Sequence, residues 1–232
     1  MHGTLYLIPS TLGDCCTADV LPQRTAEIVN RIAHYVVENT RSARRFLSKL
    51  GIQQSIDSLS FTELNEHTSL AEVAPLLAPL LDGNDVGIIS EAGVPSVADP
   101  GAALVRLAHE KNIRVVPLVG PSSILLALMA SGFNGQAFAF SGYLPVKPDE
   151  RTHAIKNLEK RSAHETQIFM ETPYRNNKLI ADLLSICAPQ TKLCLAADIT
   201  LETEFISTKT ISEWKKKTPD LNKRPCIFLL QQ

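Results

Sequence analysis

The sequence predicts two consecutive α/β units, residues 1–118 and 119–232, hinged near residues 118–123. Two observations carry this. Short apolar, strand-like runs alternate with helical apolar patterns from end to end, and the alternation restarts after Gly120-Pro121. The length, 232 residues and 25.4 kDa, suits one large domain or two small ones.

Each element follows from its local pattern. Thr4 to Ile8 is an apolar run stopped by Pro9, a first strand. From Arg24 to Asn39 the residues Ile28, Val29, Ile32, Ala33, Val36 and Val37 recur every three or four positions, which predicts one helix with a buried stripe. A basic helix is expected from Ser42 to Leu50, ending at Gly51. Another spans Leu70 to Leu81, interrupted by Pro75 and Pro79. Asp85 to Ser90 reads as a buried strand. Asp99-Pro100 marks a helix start running to Asn112, because Asp can cap and Pro lacks only an N–H that would be orphaned there. Ile113 to Leu118 is the next strand. In the second unit Ser122 can cap a helix that ends at Ser131-Gly132. Strands are expected at 137–140, 166–170, 192–197 and 226–230. Helices fit at 149–160, 174–186 and 211–217.

Composition narrows the function classes. Hydrophobic residues make up 44% and charged residues 20%, which excludes a disordered or collagenous chain. The formal net charge is -1, so any contact with nucleic acid must come from a local patch. Five cysteines without a CxxC pair suit a reducing, cytoplasmic setting better than a disulfide framework. The N-terminal segment lacks the basic start and long apolar core of a signal peptide, and no run approaches membrane-span length, so no membrane partner is expected. The six histidines (His2, His34, His67, His109, His153, His164) are scattered without metal-ligand spacing, and no metal is expected. GxSxG and P-loop patterns are absent. The turn after the first strand, Pro9 to Asp14, has one glycine, too few for a dinucleotide fingerprint.

Two segments stand out. Ser90 to Gly101 (SEAGVPSVADPG) follows a buried strand and precedes a Pro-started helix, at the carboxyl edge of a parallel sheet where open α/β sheets place ligands. Gly120-Pro121-Ser122-Ser123 ends a strand and opens a helix, offering backbone N–H groups and two hydroxyls. Each is either a ligand loop or a turn and capped helix start. Three basic groups stand out as well: Arg41, Arg44, Arg45 and Lys49; Lys147, Arg151, Lys156 and Lys160; and Lys215 to Lys217 with Lys223 and Arg224. Each is either a solvated face or a phosphate-attracting patch.

SEAGVPSVADPG, VVPLVGPSS, ASGF, FSGYLPVKPDER and METPYR occur in the order seen in the tetrapyrrole-methylase superfamily. More narrowly, the chain resembles its branch of bacterial small-subunit rRNA (cytidine ribose-2′-O)-methyltransferases, from Gly3 to near the end. The resemblance implies two consecutive α/β domains of the tetrapyrrole-methylase type, S-adenosylmethionine in the cleft between them, and a homodimer. By the same resemblance Pro9, Ala92, Gly93, Val94, Val97, Ser122 and Ser123 match donor-contacting positions of the first half and its boundary. Met170, Glu171, Ala197, Thr200, Pro225 and Cys226 match those of the second. A 2′-hydroxyl acceptor would be helped by a general base or an alkoxide stabiliser. Glu38, Arg41 and Glu91 are the candidates, with Glu38 to Arg41 resembling the family's EDTR. The alternative for Glu38 and Arg41 is a surface ion pair.

Departures from the branch are PSTLGD for PxGNxxD, Glu91 and Val94 for Asp and Thr, METPYR for YESPHR, Asp198 for Glu, and Arg224-Pro225 for GE. The sequence also ends soon after its last strand, without a further C-terminal segment. Three functions remain: methylation of small-subunit rRNA, methylation of a small molecule such as a tetrapyrrole, and a non-catalytic module that senses the cofactor.

Overall fold

The computed structural model describes residues 2–65 and 68–232. The chain divides into two compact units, Met1–Ser122 and Ser123–Gln232.

The first unit contains β1 (Thr4–Ile8), α1 (Thr17–Val20), α2 (Gln23–Val29), β2 (His34–Val37), α3 (Thr40–Leu50), β3 (Ser60–Glu63), α4 (Leu70–Val73), α5 (Ala78–Leu81), β4 (Val86–Ile89), α6 (Gly101–Glu110) and β5 (Arg114–Pro117). Its five strands are all parallel, in the order β3-β2-β4-β1-β5. Successive side chains in a strand face opposite ways, and the core divides accordingly. Leu5, Val36, Ile88, Leu104 and Ala108 pack on one face. Ile8, Tyr35, Val37, Ile89, Val29 and Leu47 pack on the other. Burial on both faces is what a parallel sheet with crossover helices requires.

The expected single helix from Arg24 to Asn39 is corrected. It is a short helix, a break at Asn30, and a central strand, β2. The Asn30 side chain turns back to bond Ala26 O and accepts from the Gln53 N–H, using polar groups that would otherwise have faced a continuing helix. Tyr35, Val36 and Val37, all within 3% of full burial, gain more from two strand neighbours than from one helix face. The Leu70 to Leu81 segment is also divided, with a 3-10 turn at Ala74–Leu77 between α4 and α5. Pro75 and Pro79 remove the N–H groups that a continuous helix would need.

The second unit contains α7 (Ser123–Ser131), β6 (Phe138–Tyr143), α8 (Pro148–Arg161), β7 (Thr166–Met170), α9 (Asn176–Ile186), β8 (Lys192–Ala197), β9 (Phe205–Thr210), α10 (Ile211–Lys216) and β10 (Cys226–Gln231). The sheet order is β6-β7-β10-β8-β9. Only β6 and β7 run parallel, and the remaining pairs are antiparallel. Phe169, Leu195, Phe228, Ile155, Leu183 and Trp214 form the core against α8, α9 and α10. The Trp214 indole N–H donates to Leu193 O at 2.9 Å, so its burial leaves no polar atom stranded.

Candidate functional site

Strand register gathers the first group of residues. Val37 and Ile8 both pair with Ile89, so β2, β4 and β1 end level. The residues that follow, Glu38, Ser90 and Pro9, therefore stand side by side at the carboxyl edge. The chain leaves β1 toward β2 and leaves β4 toward β5, in opposite directions along the sheet. This is the switch-point crevice where open α/β sheets bind ligands.

The loop after β4 is tied to the loop after β1. Ser10 N–H donates to Gly93 O at 2.9 Å, Ser10 Oγ to Ser90 O at 3.0 Å, and Ser90 Oγ to Gly93 O at 3.1 Å. Gly93 has φ +74°, and an added Cβ would lie 3.0 Å from Leu12 and 3.1 Å from Pro121 O. Ser96 and Ala98 also hold positive φ, at 67° and 60°. Non-glycine residues keep that conformation only where their surroundings over-determine it, and such strain concentrates at functional loops. Ala92 and Val97 are exposed, and Val94 is half-buried. Gly120 lies directly against Pro9, because a Cβ there would sit 2.3 Å from the proline ring. The expected start of α6 is shifted by one residue: Pro100 is the N-cap position and Gly101 the first helical residue, and Asp99 Oδ1 accepts from the Gly101 N–H at 2.8 Å from just outside the helix.

Glu38, Arg41 and Glu91 behave differently from a surface ion pair. Glu38 Oε1 accepts from the Glu91 backbone N–H at 3.0 Å. The Glu91 carboxylate in turn accepts from Ser42 Oγ. Arg41 has no carboxylate partner among the described residues and is exposed. Burial pushes the Glu38 carboxyl above its ordinary range, and the nearby Asp99 and Glu91 charges push the same way against the Glu91 N–H bond. Sequence reasoning started α3 at Ser42 and so missed Asn39, whose Oδ1 caps the helix through the Arg41 and Ser42 N–H groups at 3.0 and 3.1 Å. Ser10 and Ser42 were missed as well. Asn before a helical run was the available signal for Asn39. A cavity of about 450 Å³ opens beside these groups, lined by Ser10 to Asp14, one side of α3, and Ser90-Glu91.

Register gathers the residues of the second unit too. Met170 pairs with Ile227, Ala197 pairs with Cys226, and Asp198 N–H donates to Pro225 O at 2.9 Å. Met170, Glu171, Ala197, Pro225 and Cys226 thus share one sheet edge. Glu171 is buried. Its Oε1 accepts from Thr172 N–H at 2.7 Å and from Arg175 Nε and Nη2 at 3.0 and 2.6 Å. Its Oε2 has no partner among the described residues, nor does the buried Thr200 Oγ1. Asp198 holds Arg224 Nε at 2.7 Å and Thr203 Oγ1 at 2.9 Å, shaping the loop that carries Thr200 at φ +73°. Ser122 closes the first unit and Ser123 opens α7 in the second.

The expected basic groups are partly dismantled. Arg151 is 1% exposed, held by Pro145 O, Val146 O and Asp182, and contributes nothing to a surface patch. Arg224 is tied to Asp198, Arg44 to Asp57, and Lys147 to Glu150. Among the described residues no group of His, Cys, Asp and Glu could hold a metal ion, and His67 lies outside them. No helix among them is long and apolar enough to cross a membrane.

A family model of the tetrapyrrole (corrin/porphyrin) methylases matches residues 5–215. The chain belongs to this family. The methylase is 30% identical over 233 residues to ribosomal RNA small subunit methyltransferase I of Escherichia coli O157:H7, covering 99% of this chain and 78% of that one. To the protein of the same name in Xylella fastidiosa it is 32% identical over 231 residues, covering 98% and 80%. Among solved structures it is similar to the methyltransferase CobJ, with a TM-score of 0.66 at 17% identity over 99% of this chain and 94% of that one. The cobalt precorrin-4 methyltransferase CbiF gives a TM-score of 0.62 at 14% identity, over 98% and 94%. These structures establish the shared fold of two α/β units.

Proposed function

We propose that this methylase transfers a methyl group from S-adenosylmethionine to a ribose 2′-hydroxyl of small-subunit ribosomal RNA. The observation that carries the reading is the near full-length similarity, at about 30% identity, to ribosomal RNA small subunit methyltransferase I from several bacteria. A homodimer accompanies it, supported by the exposed apolar Leu125 and Met129 one turn apart on α7, and a cytoplasmic location goes with the ribosomal RNA substrate.

The residues present fit the methyl donor. Proposed donor contacts occur within the first unit and, separately, within the second. In the first, Gly93 at φ +74° leaves bare backbone where a Cβ would press on Leu12 and Pro121 O at 3.0 and 3.1 Å. In the second, Glu171 Oε2 and Thr200 Oγ1 are buried acceptors awaiting a hydroxyl or amine. S-adenosylmethionine supplies an electrophilic methyl on a sulfonium, so the chain need provide neither a metal nor a covalent nucleophile. Its own contribution is to hold two reactants in line, which in well-oriented systems is worth about 7–11 kcal/mol. Glu38 is the proposed acceptor of the hydroxyl proton, a role supported by its bond from the Glu91 N–H and by burial that raises its pKa. The exposed Arg41 follows it at the start of α3, a cation for the developing alkoxide.

The test is methyl transfer from labelled S-adenosylmethionine to small ribosomal subunits taken from a strain that lacks the gene. The expected result is label in the small-subunit RNA at a nucleotide whose 3′ linkage becomes resistant to alkali. Label on a tetrapyrrole instead, or donor binding without transfer to any acceptor, would overturn the reading.

A further inference from the structure

The 450 Å³ cavity beside Glu91 is large enough for a small ligand and is built on α3. Ser42, Arg45 and Lys49 all line it, three and four residues apart, so they form one stripe along the helix. From Ser42 to Lys49 the stripe rises about 10 Å, the scale of one nucleotide. Its two ends differ chemically. At one end Ser42 Oγ donates to Glu91, whose backbone N–H is bonded to Glu38. At the other, Lys49 is paired with Asp14 across the mouth, a pair whose side chains are 52% and 92% exposed. An ion pair so exposed holds weakly and exchanges readily. Between them, Arg45 is exposed and has no carboxylate partner among the described residues. Leu12 and Phe46 add apolar wall.

Building on the rRNA reading, we infer that this cavity seats the acceptor nucleotide, with Arg45 gripping a flanking phosphodiester while the sugar lies toward Glu91. Arg45 is then the first phosphate contact, its planar guanidinium suited to two phosphate oxygens. Lys49 is the second, exchanging the Asp14 carboxylate for a phosphate. This gives a chain of net charge -1 a local hold on RNA at the reacting nucleotide, where a diffuse basic face would give only general attraction. The groove also orders the ligand: phosphate at the cationic end, hydroxyl at the carboxylate end. A free anion would need the first alone.

The test uses the full chain and two variants, Arg45→Glu and, as a control on α8, Lys156→Glu. Steady-state methylation of small subunits is measured across salt concentration, binding of a short single-stranded RNA by fluorescence anisotropy, and S-adenosylmethionine affinity by calorimetry. Arg45→Glu should raise KM for RNA and the oligonucleotide Kd about tenfold, and flatten the log–log salt slope by about 0.7. Donor affinity and melting temperature should hold, and Lys156→Glu should stay within twofold throughout. Unchanged KM and Kd in Arg45→Glu, with the parent methylating RNA, would overturn the cavity assignment and leave the rRNA reading standing. A parent that binds RNA through Arg45 but methylates none would keep Arg45 as an RNA contact and overturn that reading, and the acceptor assignment with it. A parent that neither binds nor methylates RNA overturns both.

Discussion

Glu38 Oε1 accepts a hydrogen bond from the backbone N–H of Glu91, 53 residues away, so the loop after β4 is pinned to the end of β2. Glu38 and Asp99 both line a water-sized void of about 10 Å³. Asp99 Oδ2 is buried there without a partner among the described residues. The Asp99 charge disfavours ionisation of Glu38.

The pH dependence follows from that geometry. Burial raises the Glu38 pKa above its ordinary 4.5, and Asp99 adds to the rise. A base must be deprotonated to act, so methylation should fall as pH drops through a midpoint above 4.5. Asp99→Asn removes one of the repelling charges and should move that acid limb to lower pH, measured as kcat against pH. An acid limb that does not move would show that Asp99 does not act on the base.

Stability should respond with the opposite sense to an ordinary salt-bridged carboxylate. Burial raises the Asp99 pKa from 3.8, against the Gly101 and Ser96 N–H bonds. A raised folded-state value means a contribution complete below pH 3.8 and lost as pH rises through the higher folded value. Asp99→Asn keeps an acceptor for the Gly101 N–H but cannot ionise. Thermal melts from pH 4 to 7.5 should show a flatter dependence for the variant and no loss of stability at pH 7.

Gly93 and Gly120 can be separated from generic turn glycines. Gly120→Ala would push a methyl to 2.3 Å from the Pro9 ring, and Gly93→Val would add bulk against Leu12 and Pro121 O at φ +74°. Overpacking of this kind costs about 1–3 kcal/mol. Both variants should lose that much unfolding free energy, read as a lower urea midpoint at an unchanged slope. Gly93→Val should in addition lose S-adenosylmethionine binding in calorimetry on the remaining folded protein.

Much of this was legible in sequence, for reasons particular to each segment. The loop from Ser90 to Gly101 was visible because its glycine and prolines punctuate a strand and a helix. The strand β4 was visible because its run is apolar and fully buried, and β7 and β8 because each carries a buried apolar stretch, Ile168-Phe169 and Leu193 to Ala197. The strand β2 was not, since Val36 and Val37 continue the spacing of Ile28, Val29 and Ile32, and a helix period and a buried strand read alike over so few residues. β3 (SFTE) and β9 (FISTKT) went unpredicted as edge strands with largely polar sequences. The cavity side of α3 was hidden for another reason. Arg45 and Lys49 look like any solvated basic face until register brings Glu91 and Asp14 to them.

Arg151 shows how misleading a charge run can be. It sits 1% exposed, donating to Pro145 O at 2.8 Å, Val146 O at 2.9 Å and Asp182 at 3.1 Å. Removing it strands a partly buried carboxylate and two carbonyls, and breaking such a pair costs about 3–5 kcal/mol. Arg151→Ala should therefore unfold the second unit at much lower denaturant. Arg151→Lys should recover only part, because one ammonium cannot span three acceptors set around a planar fork.

Glu171 offers the most discriminating prediction for the second unit. Its Oε1 is occupied by Thr172 N–H and Arg175, while Oε2 is buried with no partner among the described residues. A purely structural glutamate would spend both oxygens on the chain. If Oε2 receives a donor-group hydroxyl or amine, Glu171→Gln places a competing N–H or a weaker neutral acceptor there, and a charged hydrogen bond is worth about 1.5–3 kcal/mol. S-adenosylmethionine affinity should fall at least about tenfold. Arg175→Ala supplies the contrast, since it weakens the same structural cluster without altering Oε2. Its melting temperature should drop, with affinity measured on the folded protein unchanged. Equal losses of affinity in both variants would mean that the carboxylate acts only by shaping the loop.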